Sequence, residues 1–112
     1  MEISEHKAAD IVTLSLSGKL DANNAKTFQD QILARIESGE RHIVVDLAEL
    51  DYISSAGLRV IMLAGKRLSS ANGKVVLCSL KEPVREVFDI AGFSDIFSIY
   101  RSHDEATKDL QP

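Results

Sequence analysis

From Ile43 to Leu68 the chain passes from a β-branched apolar run to an apolar stripe at helical spacing, with Ser54-Ser55-Ala56-Gly57 between them. His42 to Leu47 is short and nearly continuous in its apolar character, as an interior strand covered on both faces should be. Leu58, Ile61, Met62, Gly65 and Leu68 then recur at intervals of three and four, widened by Val60, Leu63 and Ala64, which predicts a helix with a buried face. Ala48 to Ser54 reads as the loop between them. Asn72-Gly73 stops the helix, and Lys74 to Ser79 is a second interior-type strand. A strand, a helix and a strand in this order imply a parallel pair joined by a right-handed crossover.

The flanking stretches build outward from that unit. Ile11 to Leu16 alternates loosely, and residues 2–7 can pair with it as an edge strand by turning at Ala8-Ala9-Asp10. Gly18 punctuates. Asp21 then precedes a helical pattern over about 22–37 and is placed to cap it; Ala25, Phe28, Ile32 and Ile36 form its apolar face, and Gly39 ends it. Pro83 suits a first helical turn, followed by Val84, Val87, Phe88 and Ala91 and terminated by Gly92. Phe93 to Tyr100 holds a last short edge strand. From Ser102 the tail carries Ala106 and Leu110 at helical spacing but is polar enough to predict only a frayed helix. The expectation is a mixed sheet with helices packed on it.

At 112 residues the chain is long enough for one core and too short for two. Its 13 Lys and Arg against 17 Asp and Glu give a net charge of −4 with no basic block. Nucleic-acid binding, which needs a positive field to displace counterions, is therefore not expected; a partner with a basic docking face fits better. Cys78 lies in the apolar run Val75-Val76-Leu77-Cys78 and reads as a buried packing thiol, with neither a disulfide partner nor metal-type spacing. Met1-Glu2-Ile3-Ser4-Glu5 is unlike a signal peptide, and no run approaches the roughly 20 apolar residues of a membrane span. A cytoplasmic protein is expected.

Catalytic patterns fail residue by residue. A nucleophile elbow needs Gly-x-Ser-x-Gly, but Ile53 stands where the first glycine belongs, and His6, His42 and His103 are scattered. Gly73-Lys74 and Gly65-Lys66 lack both the leading glycine and the following hydroxyl of a phosphate loop. Asp46, Glu49 and Asp51 read as a solvated acidic face, with no metal expected. Ser54 and Ser55 remain. One of them can cap the helix by satisfying an orphan N–H. A phosphate on a first-turn serine would also meet free N–H groups and the positive end of the helix dipole, at a gain of about 0.3–1 kcal/mol to the fold. Its charge of about −1.5 to −2 would act instead on a docked partner.

Gly18-Lys19-Leu20-Asp21, Val44-Val45-Asp46-Leu47, Tyr52-Ile53-Ser54-Ser55-Ala56-Gly57-Leu58 and Lys74 to Cys78 fall in the order seen in STAS domains. Over nearly its whole length the chain resembles the free-standing bacterial anti-sigma factor antagonists. The resemblance implies a single STAS-like α/β domain over 1–112, with a mixed four- to five-stranded β-sheet and three to four α-helices packed on it. It also implies a binding protein, not an enzyme, that engages a serine/threonine kinase-like anti-sigma factor, is released by phosphorylation and is restored by a phosphatase. Transferred to this sequence, the phosphoacceptor is Ser55, two residues before Gly57, and Asp21 lies near the partner surface with Asn23, Ser54, Ala56, Gly57, Leu58 and Arg59. Regulated members usually read Asp-Ser-Ser/Thr-Gly; here Ser54 replaces the aspartate and stands as a rival acceptor. A monomer without cofactor, nucleic acid or membrane contact is expected. The alternative is a non-phosphorylated STAS subunit of a membrane transport complex, gripping an ATPase.

Overall fold

The structure, a computed structural model, describes residues 1–111. Five strands form one sheet in the order β1 (Glu2–Ala8), β2 (Ile11–Leu20), β3 (His42–Ile53), β4 (Lys74–Cys78), β5 (Ile99–Tyr100). β1 runs antiparallel to β2, and every later neighbour is parallel. The helices α1 (Ala25–Glu37), α2 (Ser55–Ser70) and α3 (Glu82–Ile90) are the three crossovers, and α4 (His103–Leu110) closes the chain. The architecture is the mixed α/β sheet the sequence predicts.

Because the parallel strands advance one place at a time in one direction, crossovers of a single hand must all lie on the same face. That face carries the main core. Val12, Leu14, Leu16, Ile43, Val45, Leu47, Val75 and Leu77 project from the sheet, and Phe28, Ile32, Ile61, Leu68, Val84 and Phe88 meet them from the three helices. Each such large side chain contributes about 1.5–3 kcal/mol on burial. The opposite face has only α4, whose Ala106 and Leu110 pack on Ile11, Val44, Val76 and Cys78.

Three sequence expectations are corrected. Residues 48–53 are not a loop: β3 continues to Ile53 and β2 to Leu20, still paired. Two register shifts, at Ser15/Ser17 and at Gly18/Lys19 of β2, each set an extra residue of β3 against its neighbour. They break the two-residue alternation, so Leu47, Leu50 and Ile53 are buried at intervals of three. Helix α1 starts at Ala25, not residue 22, and Asp21 does not cap it (see below). The tail is docked, not frayed. Ser102 Oγ accepts from Glu105 N (3.2 Å), Thr13 Oγ1 meets His103 Nε2 (2.8 Å), and Lys74 Nζ donates to Asp109 (2.7 Å). A cap and two outside partners offset its polar composition.

Candidate functional site at the start of helix α2

The site lies past the C-terminal ends of β2 and β3, where both strands hand over to helices. Ser54 N donates to Leu20 O (2.9 Å), so Asp21 begins directly beside the start of α2. From there the chain makes a tight reciprocal turn. Asp21 N donates to Asn24 Oδ1 and Asn23 N donates to Asp21 Oδ1, both at 2.9 Å. Asn24 Nδ2 donates to Lys19 O (2.9 Å), and the Asp21 carbonyl accepts from Ala25 N (2.9 Å). The Asp21 carboxylate thus builds the turn before α1, as Asp does when it bonds backbone two residues on.

The two serines divide the roles that the sequence left open between them. Ser54 is the N-cap of α2, extended in backbone, and its Oγ accepts from Gly57 N at 3.4 Å. That contact is long, which places its worth toward the low end of the range for caps. Ser55 is the first helical residue, is exposed, and sits outside the cap. No acidic residue occupies the first turn of α2, so the positive end of its dipole meets no carboxylate of its own.

Gly57 fixes how closely the helix sits. A Cβ there would come within 2.7 Å of Leu20 Cγ and 2.9 Å of Ile53 Cγ1. Only a residue without a side chain lets the first turn rest on both strand ends. Leu58 is buried alongside it, with 6% of its surface exposed. Gly57 and Leu58, expected at the partner surface, therefore seat the helix and offer little to a visitor. Asn23, Ser55 and Arg59 are exposed, and Asp21, Ser54 and Ala56 are half-buried. All six lie in the segments that follow β2 and β3 or in the first two turns of α2, the rim of the proposed contact.

Two further residues lie close by in the fold, neither singled out by the sequence as a contact. Tyr52, two residues before the cap, leaves 48% of its surface exposed. The signal was there: an aromatic in a chain that has only 5% of them. Lys81, at the start of α3, donates to Asp51 Oδ1 (2.7 Å), and this bond holds the ammonium above its usual pKa. Only the fold brings those two together. His42 opens β3, at the end opposite the serines, and His103 is engaged with Thr13. Asp46 Oδ1 accepts from Ala48 N (3.0 Å). Among the described residues no group of three His, Cys, Asp or Glu is placed to hold a metal ion, and no helix is long and apolar enough to cross a membrane.

A mixed sheet with this handover and a serine-capped α2 defines a class. Residues 2–106 match the STAS domain family, and the chain belongs to it, among the anti-sigma factor antagonists. BtrV of Bordetella bronchiseptica, described as a candidate anti-sigma factor antagonist, is 42% identical over 95% of this chain and 91% of its own length. The anti-sigma F factor antagonist of Paenibacillus polymyxa is 30% identical, covering 99% of this chain and 94% of that protein. Among solved structures, TM1081 of Thermotoga maritima, likewise a candidate anti-sigma factor antagonist, superposes with a TM-score of 0.94 at 26% identity over 98% and 95% of the two chains.

Proposed function

We propose that this protein binds a serine/threonine kinase-like anti-sigma factor through the rim at the start of α2, and that phosphorylation of Ser55 by that kinase ends the complex. A phosphatase then returns the protein to its binding form. The observation that carries the reading is the division between the serines. Ser54 is committed to the cap, whereas Ser55 is exposed at the first helical position. Phosphate on Ser54 would cost the fold its cap; phosphate on Ser55 would leave it intact and favourably placed on the helix dipole. The names of the relatives favour a regulator of sigma-factor control over a transport subunit.

Asp21, Asn23, Ser54, Ser55, Ala56 and Arg59 form the contact, Gly57 and Leu58 support it from below, and Tyr52 adds an aromatic anchor of the kind that dominates interface energies. A phosphate buried there without a counter-charge costs several kcal/mol. Since each 1.4 kcal/mol is tenfold, one modification weakens binding by about a thousandfold. No refolding is required.

The test pairs the protein with the anti-sigma kinase of its own host and ATP, read by mass spectrometry and calorimetry. Stoichiometric phosphate at Ser55, absent in Ser55→Ala, together with weakened binding by Ser55→Asp, is the expected result. Phosphate on Ser54 instead, or full affinity in Ser55→Asp, would refute the assignment.

A further inference from the structure

Helix α2 holds three of the chain's 13 Lys and Arg residues and none of its 17 Asp and Glu. Arg59, Lys66 and Arg67 are all exposed, so the solvent side of this helix is basic on a protein whose net charge is −4. Its C-terminal half borders an open groove of about 370 Å³. Met62, Gly65 and Lys66 line that groove from α2, and Ile96 and Phe97 line it from the connection between α3 and β5. Gly65 lets Phe97 approach the helix: a Cβ there would come within 2.9 Å of Phe97 Cε1, so the ring lies directly on the helix backbone. Phe97 is backed in turn by Phe93, with ring centroids 5.9 Å apart.

The groove is apolar and part of its rim is already exposed. Ile96 leaves 60% of its surface in water. A single exposed aliphatic residue is ordinary, but here it adjoins Met62 and Phe97 in one concavity. Two lysines stand at its edge. Lys74 is engaged by Asp109 (2.7 Å), whereas Lys66 forms no ion pair among the described residues.

We propose that this groove docks a protein segment in which an apolar side chain is flanked by carboxylates. The volume, about 370 Å³, lies at the low end of the roughly 300–1,000 Å³ of small-molecule pockets, and the concavity is partly open to solvent, which suits side chains projecting from a passing segment. The lining selects an apolar anchor, and Lys66, with Arg67 beside it in sequence, selects acidic neighbours and repels basic ones. Met62 and Lys66 follow Ser55 by about 10 and 16 Å along the helix, beyond a screening length of about 8 Å. The surface is therefore separate from the Ser55 rim and does not depend on phosphorylation there.

The experiment is an NMR titration of the isotope-labelled protein with a short peptide of alternating Leu and Glu, its Leu and Lys counterpart, an all-Glu peptide, and laurate. The Leu and Glu peptide alone should shift the amides of Met62, Gly65, Lys66 and Phe97. Lys66→Glu and Ile96→Ser, both at exposed positions, should each weaken it at least about fivefold while leaving the remaining spectrum in place. Equal shifts by the Leu and Lys peptide, shifts centred on Ser55, or no shift with any peptide would overturn the proposal. Saturable binding of laurate without the peptide would assign the groove to a lipid-like ligand, and would overturn it too.

Discussion

The two faces of the sheet are built by opposite strategies. One is covered by three crossover helices over a continuous aliphatic core that includes two fully buried phenylalanines, Phe28 and Phe88. The other is covered by the eight-residue α4, which contributes two buried side chains and is pinned at its edges by polar contacts. The difference teaches where rigidity is needed. The start of α2, with its exposed serine, sits on the thick face and inherits the stability of that core. The thin face bears no part of the proposed switch and can be lightly closed.

Paired truncations should break this comparison if it is wrong. Phe28→Ala removes a fully buried ring under α1 and should cost about 3–5 kcal/mol, measured by denaturant unfolding. Leu110→Ala, near the chain's end on the thin face, should cost about 2 kcal/mol, the low end for buried leucine. A larger loss at Leu110 than at Phe28 would mean that α4 anchors the fold.

A smaller effect sharpens the same contrast through pH. Burial under α4, reinforced by the negative charge of Asp46, pushes the Cys78 thiol up to about 11. A folded-state pKa above the unfolded one means that the neutral thiol is favoured by folding. Stability should therefore fall as pH rises from about 9 to 11, with a slope of at most about 1.4 kcal/mol per pH unit from this group. Cys78→Ser should flatten that part of the profile. An unchanged slope would show that α4 does not seal the thiol from water.

The smallest effects separate the two serines. Ser54→Ala should cost about 0.5–1 kcal/mol through the lost cap, and Ser55→Ala should stay within about 0.5 kcal/mol of wild type. Equal losses would place both hydroxyls in the structural role and leave neither free for modification.

Much of this architecture is legible in the residues. The run from His42 to Leu47, the stripe along α2 and the edge pairing of residues 2–7 with Ile11 onward all follow from periodicity. The rest was hidden for identifiable reasons. The second half of β3 has its apolar residues three apart because of two bulges, and a spacing of three reads as neither strand nor helix until the neighbouring strand is present. Asp21 sits where a cap would be, but its carboxylate bonds the turn, and the helix waits until Ala25. The tail looked too polar because Thr13 and Lys74, which hold it, are distant in sequence. At the site, the Ser–Ser–Ala–Gly stretch announced a helix start with a hydroxyl. Which serine serves the backbone is settled by the 3.4 Å contact to Gly57 N, a detail of geometry that spacing does not contain.

The missing side chain at Gly57 has one more consequence. With Leu20 and Ile53 pressed against its first turn, the helix tip is seated directly on the ends of β2 and β3. On the proposed reading, a charge added at Ser55 would therefore face outward, toward whatever docks there.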